Sequence, residues 1–310
     1  MRPSSLRDSG HCHRSIPPRP ITGGFLKIKA YAKINLFLDI VGKRPDGYHD
    51  ILSVMQTIDL HDELKFCKTE STAGFSFVAD CKDIPNDESN LVVRAARLMI
   101  KEYGIKESFE IFLTKRIPVG AGLAGGSSDC AATIIGIDRL LNLKIPTYEL
   151  QGIAASLGAD VPFCMIGGTC LARGIGEKLV PLAPHPACTI VLAFPGIHVS
   201  TKNIFGKLCL KSQKPNNKKL EKILSSLDNN ELTGVALSLY NVFTDLTSRD
   251  FPIVAKLIGK LEVCGAVGSS MTGTGSAVFG YFERESSAIS AMDALAGDAK
   301  TYLVKPKNRG

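Results

Sequence analysis

A glycine-rich segment, PVGAGLAGGSSD at residues 118–129, constrains this chain of 310 residues more than any other part of it. It lies between residues 108–114, where apolar side chains alternate, and residues 130–141, where they recur at helical spacing. At the start of a helix the backbone N–H groups are unpaired, and glycine lets them approach an anion without an intervening Cβ. The segment therefore predicts a phosphate-binding loop, with Ser127 and Ser128 available to cap the helix or to touch a metal ion.

Two other interpretations of these glycines are weaker. Gly120, Gly122 and Gly125 match the G-x-G-x-x-G dinucleotide fingerprint, but that site needs a continuously apolar strand before the loop and an acidic residue about 20 positions after it. Here the strand alternates, and the acidic candidate, Glu149, falls at the start of a helix. No Gly-Lys-Ser/Thr follows, which excludes a Walker loop. A structural turn stays open, although the segment is denser in Gly and Ser than a turn requires.

The net charge of +7 comes from two segments. Residues 1–24 hold four arginines against one aspartate, and residues 211–222 hold five lysines against one glutamate, so together they account for all seven charges. The rest of the chain is balanced. A basic face spread over the fold is therefore not expected, which argues against a nucleic-acid partner, although local patches remain possible.

Composition narrows the class of protein further. No apolar run approaches the roughly 20 residues that span a bilayer, so we expect no contact with a membrane. Nine cysteines at scattered positions, without a C-x-x-C pair, indicate reduced thiols in a cytoplasmic protein. Residues 1–24 contain four prolines and no periodicity, which predicts a disordered extension. A transit peptide and a mis-assigned start codon are the alternatives.

The first long strand carries two polar residues of interest. From Lys27 onward the apolar residues alternate, so Lys33 and Asn35 fall on the same face of a strand that runs to about residue 40. For a single lysine, a solvated strand face is the ordinary interpretation. A turn-rich loop at residues 42–49 then follows, and it places Tyr48 and His49 just beyond the strand.

Asp160 stands in the sequence LGADVP at residues 157–162. A helical stripe ends at Gly158, and Pro162 is expected to prevent the helix from continuing. A carboxylate beside a helix C-terminus is disfavoured by the dipole. An aspartate that only forms a turn is the ordinary interpretation, but a residue that opposes a local electrostatic rule is a functional candidate.

The second half of the chain contains another segment rich in Gly, Ser and Thr. Residues 201–208, 220–227, 232–240 and 252–261 show helical patterns, and residues 269–280 form a loop of Gly, Ser and Thr that leads into a strand. This loop is either a tight hairpin or the second lip of a phosphate site whose first lip is the glycine-rich segment.

Three motifs now stand together: AKINL at residues 32–36, the loop at residues 118–128 and MTGTGS at residues 271–276. They resemble the three signature motifs of the GHMP kinase superfamily. GYH at residues 47–49 and LGADVP narrow the resemblance to members that act on a cytidine diphosphate alcohol. The resemblance covers roughly residues 28–306. Ala124 stands where many members have glycine and Cys130 where alanine is usual, and both are small enough to fit.

The resemblance implies an α/β fold (two α+β layers), the GHMP kinase fold. Its N-terminal ribosomal-protein-like domain would span residues 25–185 and its ferredoxin-like C-terminal domain residues 186–310. ATP would donate the phosphoryl group, Mg²⁺ would bridge its phosphates, and the acceptor would be the 2-hydroxyl of cytidine diphosphate methylerythritol, in non-mevalonate isoprenoid (terpenoid) biosynthesis. The protein is expected to be a monomer or a weak homodimer.

The resemblance also assigns residues to roles, with no protein ligand given to the metal. Lys33 and Asp160 would be catalytic. The residues expected to contact ATP are Pro118, Gly120, Gly122, Leu123, Ala124, Gly125, Gly126, Ser127, Ser128, Asn90 and Lys115. The residues expected to contact the acceptor are Asn35, Tyr48, His49, Thr201, Phe205, Gly273, Thr274 and Gly275, with Tyr48 and Phe205 sandwiching the cytosine and His49 reading its polar edge.

Two alternatives stay open. A sibling kinase of the homoserine or mevalonate type is the nearer one. A nucleic-acid-binding module is the other, because the N-terminal fold type also occurs in ribosomal proteins, although the balanced charge outside the two basic segments weakens it.

Overall fold

The computed structural model describes residues 24–70, 74–208 and 216–309. The strands are β1 (Leu26–Lys43), β2 (His49–Thr69), β3 (Phe75–Ala79), β4 (Ser108–Thr114), β5 (Thr169–Arg173), β6 (Lys178–Pro181), β7 (Thr189–Phe194), β8 (Tyr240–Asn241), β9 (Gly268–Met271), β10 (Val278–Phe282) and β11 (Lys300–Val304). The helices are α1 (Leu91–Tyr103), α2 (Gly125–Leu141), α3 (Thr147–Leu157), α4 (Val161–Ile166), α5 (Thr201–Lys207), α6 (Asn217–Asp228), α7 (Leu232–Leu237), α8 (Thr244–Asp250), α9 (Ile253–Val263) and α10 (Glu285–Leu295).

The strands form two sheets. A seven-stranded sheet has the order β3-β4-β2-β1-β8, with β5 paired to β2 and β6 paired to β5, and a four-stranded sheet has the order β11-β7-β10-β9. Helices α1 to α4 cover the first sheet, and buried residues of α9 and α10 lie in one apolar cluster with β7 and β10 of the second. The expected mixture of helices and sheets is therefore present.

The antiparallel pair β1 and β2 forms the centre of the first sheet. The alternation predicted β1 correctly. The polar face of β1 is not solvated along its length: Lys33 is 4% exposed and Asn35 1% exposed. The expectation of a solvated face is thus wrong at these two residues, because loops from both halves of the chain cover them.

Helix α2 begins five residues earlier than its apolar stripe indicated. Gly125 is its first residue and Ala124 its N-cap, with no side-chain hydrogen bond at the cap. Ser127 and Ser128 lie inside the first turn, so the prediction that they cap the helix is wrong. Ala124 has a φ of 55°, in the left-handed region, which costs a non-glycine residue about 1–2 kcal/mol.

Helix α3 ends at Leu157, as predicted, and a short helix that the sequence did not indicate, α4, follows Asp160 directly. Pro162 lies in its first turn, where a missing N–H group leaves no hydrogen bond unmade. Asp160 therefore occupies an N-cap position as well as following α3. The argument that the helix dipole disfavours this carboxylate is wrong, because the nearer helix end is the positive one.

The two halves of the chain are joined at several points. Residues after β11 return to β2, where Ile58 bridges Pro306, and β8 pairs with Phe37 and Leu38 of β1. The division between residues 185 and 186 stays a prediction. Residues 269–280 form a hairpin, because β9 and β10 are antiparallel. Residues 272–277 are the loop that joins these two strands.

Some predictions fall on residues outside the described part of the chain. These are the extension up to residue 23 and residues 211–215 of the basic segment. Lys218, Lys219 and Lys222 of that segment lie on α6. The seven cysteines that the structure describes are free thiols. None of the described helices is long and apolar enough to cross a membrane.

Candidate active site

The two glycine loops meet each other through their backbones. A Cβ added to Gly122 would lie 2.3 Å from the carbonyl oxygen of Thr272, and one added to Gly273 would lie 3.0 Å from the Cα of Gly122. Both glycines also have positive φ angles, 79° and 59°. Glycine is therefore required at this contact for space as well as for backbone conformation. The two loops form one continuous wall, as expected for two lips of a single site.

The side-chain amide of Asn35 ties this wall to β1. Its Oδ1 accepts hydrogen bonds from Lys33 Nζ at 2.8 Å and from the backbone N–H of Gly273 at 2.9 Å. The hydroxyl of Thr272 lies 3.2 Å from the same oxygen, and Asn35 Nδ2 donates to Ser53 Oγ at 2.9 Å. The amide oxygen thus accepts three hydrogen bonds inside the protein, and the amide nitrogen donates one. The predicted contact between Asn35 and the acceptor stays a prediction.

Lys33 and Asp160 come together where the wall meets β1. Lys33 Nζ lies 3.8 Å from Asp160 Oδ2 and donates to the carbonyl oxygen of Gly122 at 3.0 Å. The Lys33 side chain is 5% exposed, whereas that of Asp160 is 32% exposed. A buried amine therefore stands behind a carboxylate that solvent and an acceptor molecule can reach.

A cavity of about 390 Å³ lies beside the glycine-rich segment, between it and the start of α1. Ten of the eleven residues predicted to contact ATP line this cavity: Asn90, Lys115, Pro118, Gly120, Gly122, Leu123, Ala124, Gly125, Gly126 and Ser127. Ser128 is the exception, since its hydroxyl donates to the carbonyl oxygen of Tyr31 at 2.7 Å. The structure thus brings the predicted nucleotide residues to one place.

The start of α2 offers an anion-binding surface to this cavity. The backbone N–H groups of Gly125, Gly126 and Ser127 have no acceptor within the described part of the chain. A Cβ built on Gly126 would meet nothing within 4 Å. Unpaired donors at the positive end of a helix of 17 residues fit the phosphates of a nucleotide.

Two of the predicted nucleotide contacts have side chains that are engaged elsewhere. Asn90 caps α1, with Oδ1 accepting from the N–H of Val92 at 2.8 Å and Nδ2 donating to the carbonyl oxygen of Pro85 at 2.8 Å. The amine of Lys115 is ion-paired with Asp62 and Asp129. Both residues line the cavity, but their polar groups are already paired in the structure.

The predicted acceptor residues are brought together in part. Thr201 Oγ1 and Thr274 Oγ1 are 3.1 Å apart, which joins α5 to the second glycine loop that also holds Gly273 and Gly275. The ring of Phe205 lies 5.3 Å from that of His49. Tyr48 is 61% exposed, and within the described residues its ring has no aromatic partner. The ring next to Phe205 is thus His49, and the sandwich of Tyr48 and Phe205 stays a prediction.

His198 is a contact that the sequence did not indicate. A Cβ added to Gly120 would lie 2.2 Å from His198 Nδ1. The residues after β7 therefore press directly on the glycine-rich segment. A lone histidine in a loop carries no pattern from which this contact could have been found.

Comparison with known proteins places the chain in a family. The description "GHMP kinases N terminal domain" matches residues 90–168, and "GHMP kinases C terminal" matches residues 218–300. The 4-diphosphocytidyl-2-C-methyl-D-erythritol kinase of Exiguobacterium sibiricum is 42% identical over 281 residues, which are 90% of this chain and 96% of that protein. The enzyme of the same name from Caldicellulosiruptor bescii is 38% identical over 87% of this chain and 94% of its own length. The chain belongs to the 4-diphosphocytidyl-2-C-methyl-D-erythritol kinase family of GHMP kinases.

Solved structures agree with this placement. A crystal structure of 4-(cytidine 5'-diphospho)-2C-methyl-D-erythritol kinase matches this GHMP kinase with a TM-score of 0.80 and 33% identity, over 92% of this chain and 100% of that one. A homoserine kinase from Cytophaga hutchinsonii matches with a TM-score of 0.74 at 20% identity, over 94% and 97% of the two chains. The second likeness shows only that the fold is shared.

A buried charge cluster beneath the cavity beside the glycine-rich segment of this GHMP kinase was not predicted. Lys115 Nζ lies 2.8 Å from Asp129 Oδ2 and also pairs with Asp62, which is fully buried. Asp62 accepts the backbone N–H of Ile117 at 2.8 Å, whereas Asp129 Oδ1 is buried without a partner. Burial, with the charge of Asp62 adding to it and Lys115 opposing, raises the pKa of Asp129 to about 8. A proton on Asp129 leaves the cluster without a net negative charge.

Asp129→Asn tests this protonation through the pH dependence of stability. Because the folded pKa, about 8, lies above the ordinary value of 3.8, the folded carboxyl holds its proton more tightly than the unfolded one. The protonated Asp129 carboxyl therefore contributes to the free energy of unfolding at low pH, and this contribution is lost as the pH rises toward 8. Asparagine does not titrate and so loses nothing over this range. The free energy of unfolding of Asp129→Asn minus that of wild type should therefore be larger at pH 8.5 than at pH 5 by at least about 1 kcal/mol.

Urea unfolding at the two pH values measures this gain. The matched control is Asp228→Asn, since Asp228 is exposed and makes no ion pair within the described chain. It should show the same difference from wild type at both pH values. A difference for Asp129→Asn that stays constant from pH 5 to pH 8.5 would contradict the assignment.

Proposed function

We propose that this chain transfers a phosphoryl group from ATP to the 2-hydroxyl of 4-diphosphocytidyl-2-C-methyl-D-erythritol, in the presence of Mg²⁺. The pathway proposed is non-mevalonate isoprenoid biosynthesis, and the location proposed is the cytoplasm. The names of the relatives that match nearly the full length of the chain supply the acceptor. The observation that carries the chemistry is the pair of Lys33 and Asp160, 3.8 Å apart, at the junction of the two glycine loops.

Asp160 is positioned to take the proton of the acceptor hydroxyl. Its carboxylate is partly exposed and stands at the start of α4, where the backbone dipole favours negative charge. Lys33 Nζ lies 3.8 Å from Asp160 Oδ2, so a positive charge faces the carboxylate that would receive the proton. Phosphoryl transfer depends on positioning and charge neutralisation more than on a strong base, which suits a carboxylate at the start of α4 that faces an amine held on β1.

The free N–H groups at the start of α2 suit the phosphates of ATP, with Mg²⁺ supplying further neutralisation of their charge when bound. Ser127 lines the cavity, and its hydroxyl makes no hydrogen bond within the described chain. It is the side chain that would reach Mg²⁺. Among the described residues no three acidic, cysteine or histidine side chains cluster in a way that could hold a metal, so phosphate and water would supply most of its ligands.

The alternatives receive less support. A homoserine kinase and a mevalonate kinase share the fold at 20% and 16% identity. At this identity the likeness does not support homoserine or mevalonate as the acceptor of this chain. A nucleic-acid-binding module would not explain a carboxylate and an amine placed beside unpaired helix N–H groups. A monomer or weak homodimer that binds no nucleic acid remains the prediction.

A panel of alcohols tests the reaction. With ATP and Mg²⁺, the purified chain should form ADP when 4-diphosphocytidyl-2-C-methyl-D-erythritol is added, and not with homoserine or mevalonate. EDTA should stop turnover and added Mg²⁺ should restore it. Asp160→Asn keeps the shape of the side chain and removes the proton acceptor, so kcat should fall roughly 10²- to 10⁴-fold while the KM for ATP changes little.

Three outcomes would overturn parts of this proposal. Preferred phosphorylation of homoserine or mevalonate would remove the acceptor assignment. Salt-sensitive RNA binding without ATP turnover would remove the kinase assignment. Turnover by Asp160→Asn close to that of wild type would leave the kinase intact and show that Asp160 is not the proton acceptor.

Tyr48 and Phe205 test how the cytosine is held. Stacking on one aromatic face is worth about 1–3 kcal/mol per base, so Tyr48→Ala and Phe205→Ala should each raise the KM for the cytidine substrate about 5- to 150-fold. The KM for ATP should hardly change, because the nucleotide cavity shares neither residue. Steady-state kinetics with each substrate varied in turn makes the measurement.

Two control variants distinguish a loss of stacking on the cytosine from a loss of protein stability. Tyr148 is 72% exposed and lies outside the site, so Tyr148→Ala should leave both KM values unchanged. Phe205 also contacts Phe243, with ring centroids 4.6 Å apart, and Phe205→Leu keeps much of that contact while removing the aromatic face. A normal cytidine-substrate KM in all variants, with loss of thermal stability alone, would mean that the base is recognised elsewhere.

A further inference from the structure

A second cavity, which shares no lining residue with the nucleotide cavity, is surrounded by cations. Its volume is about 590 Å³. The cations that line it are Lys27, Lys29, Arg139, Lys307 and Arg309. None of the described residues that line it is acidic. We refer to it as the basic cavity.

The cations come from three parts of the fold. Lys27 and Lys29 lie on β1, Arg139 lies in the last turn of α2, and Lys307 and Arg309 follow β11. They therefore enclose one concave space instead of following a stripe along the surface. Outside residues 1–24 and 211–222 the chain has no net charge, so this concentration of one sign is a local feature and not a consequence of composition.

Little inside the protein offsets this charge. Within the described chain Lys27 is the one member of the set with an ion pair, to Glu63 at 2.8 Å. Like charges held around one space repel each other, and a bound anion relieves that repulsion. The basic cavity therefore carries positive charge that the described residues do not neutralise.

Two neutral groups add to the case for a ligand. Thr57 lines the basic cavity, is 5% exposed, and has a buried hydroxyl without a hydrogen-bond partner. Buried hydroxyls are normally paired, so this one calls for an explanation. The carbonyl oxygen of Gly167, which would repel an anion, is covered by Arg309 Nε at 3.0 Å. Arg309 thus covers an acceptor that would repel an anion, and the unpaired Thr57 hydroxyl is buried at the lining of the cavity.

We propose that the basic cavity binds a small anion that carries two or more phosphate groups. The volume lies in the range of about 300–1,000 Å³ that holds small molecules. With Lys27 paired to Glu63, four cations remain, and they exceed what one carboxylate or a single phosphate can neutralise. Cations that converge from three parts of the fold favour a compact ligand over an extended nucleic acid, whose backbone needs a continuous basic track.

A ligand in the basic cavity would contact β1 and α4, the elements beside Lys33 and Asp160. Tyr31, whose ring lies 4.8 Å from Lys307 Nζ, is two residues from Lys33 on β1, and its carbonyl oxygen accepts the hydroxyl of Ser128. Helix α4 begins directly after Asp160, and its last residue, Ile166, lines the basic cavity. The proposed site is thus separate from the catalytic groups but adjacent to the elements that carry them.

The test is pyrophosphate binding, measured by calorimetry on the full chain with ADP present to fill the nucleotide cavity. Lys29→Gln/Lys307→Gln removes two charges from the basic cavity. Because a hydrogen bond to a charged group is worth about 1.5–3 kcal/mol, the Kd for pyrophosphate should rise at least about tenfold. Orthophosphate should bind the wild type more weakly than pyrophosphate does.

The matched control is Lys101→Gln/Lys106→Gln, which removes two exposed charges from the end of α1 and the residues after it. Its Kd should equal that of wild type. If melting shows that Lys29→Gln/Lys307→Gln does not fold, Arg139→Gln on the exposed face of α2 makes the same test with one charge.

Three results would overturn the proposal. Pyrophosphate binding that is equal in wild type and in the cavity variant would place the anion elsewhere, and no binding to wild type would remove the site. Displacement of pyrophosphate by a single-stranded RNA oligonucleotide at lower concentration than by triphosphate would assign the surface to nucleic acid. None of these results depends on kinase turnover, so the proposed function can stand if this proposal fails.

Discussion

The side-chain amide of Asn35 holds the rest of the site in place. Through its oxygen it joins Lys33 of β1 to the N–H of Gly273, a residue 238 positions away, and through its nitrogen it joins β2. A buried amide must satisfy its donors and acceptors or lose about 1–3 kcal/mol for each group left unpaired. That requirement fixes the second glycine loop against the first sheet, and the loop in turn fixes Gly122 by direct backbone contact.

The same contacts explain how a lysine can be buried at this place. A buried ammonium group is costly unless it is paired and hydrogen-bonded. Lys33 has the oxygen of Asn35, the carbonyl oxygen of Gly122 and the carboxylate of Asp160 around it. Its charge is therefore directed toward the one partner that is exposed. In phosphoryl transfer such fixed positioning supplies much of the rate enhancement.

The sequence predicted what depends on local pattern and missed what depends on tertiary contact. A period of two along β1 placed Lys33 and Asn35 together, and the glycine density before α2 indicated where a cavity lies. Pro162 correctly predicted that α3 does not continue, but proline is also tolerated in a first turn, so α4 and the N-cap position of Asp160 were missed. Asp62 contacts Ile117, directly before the glycine-rich segment, and His198 contacts Gly120 within it, each from 50 or more residues away. Nothing local in the chain marks such contacts.

The central claim is that Lys33 and Asp160 act as one unit on the acceptor hydroxyl. Its most direct test is a double-mutant cycle in kcat with Lys33→Met, Asp160→Asn and the two combined, with melting temperatures confirming that each variant is folded. If the residues act as a unit, the combined variant should be little slower than the slower single variant, because removing either member already disables the pair. Losses that multiply in the combined variant would contradict the claim and show that the two residues contribute independently.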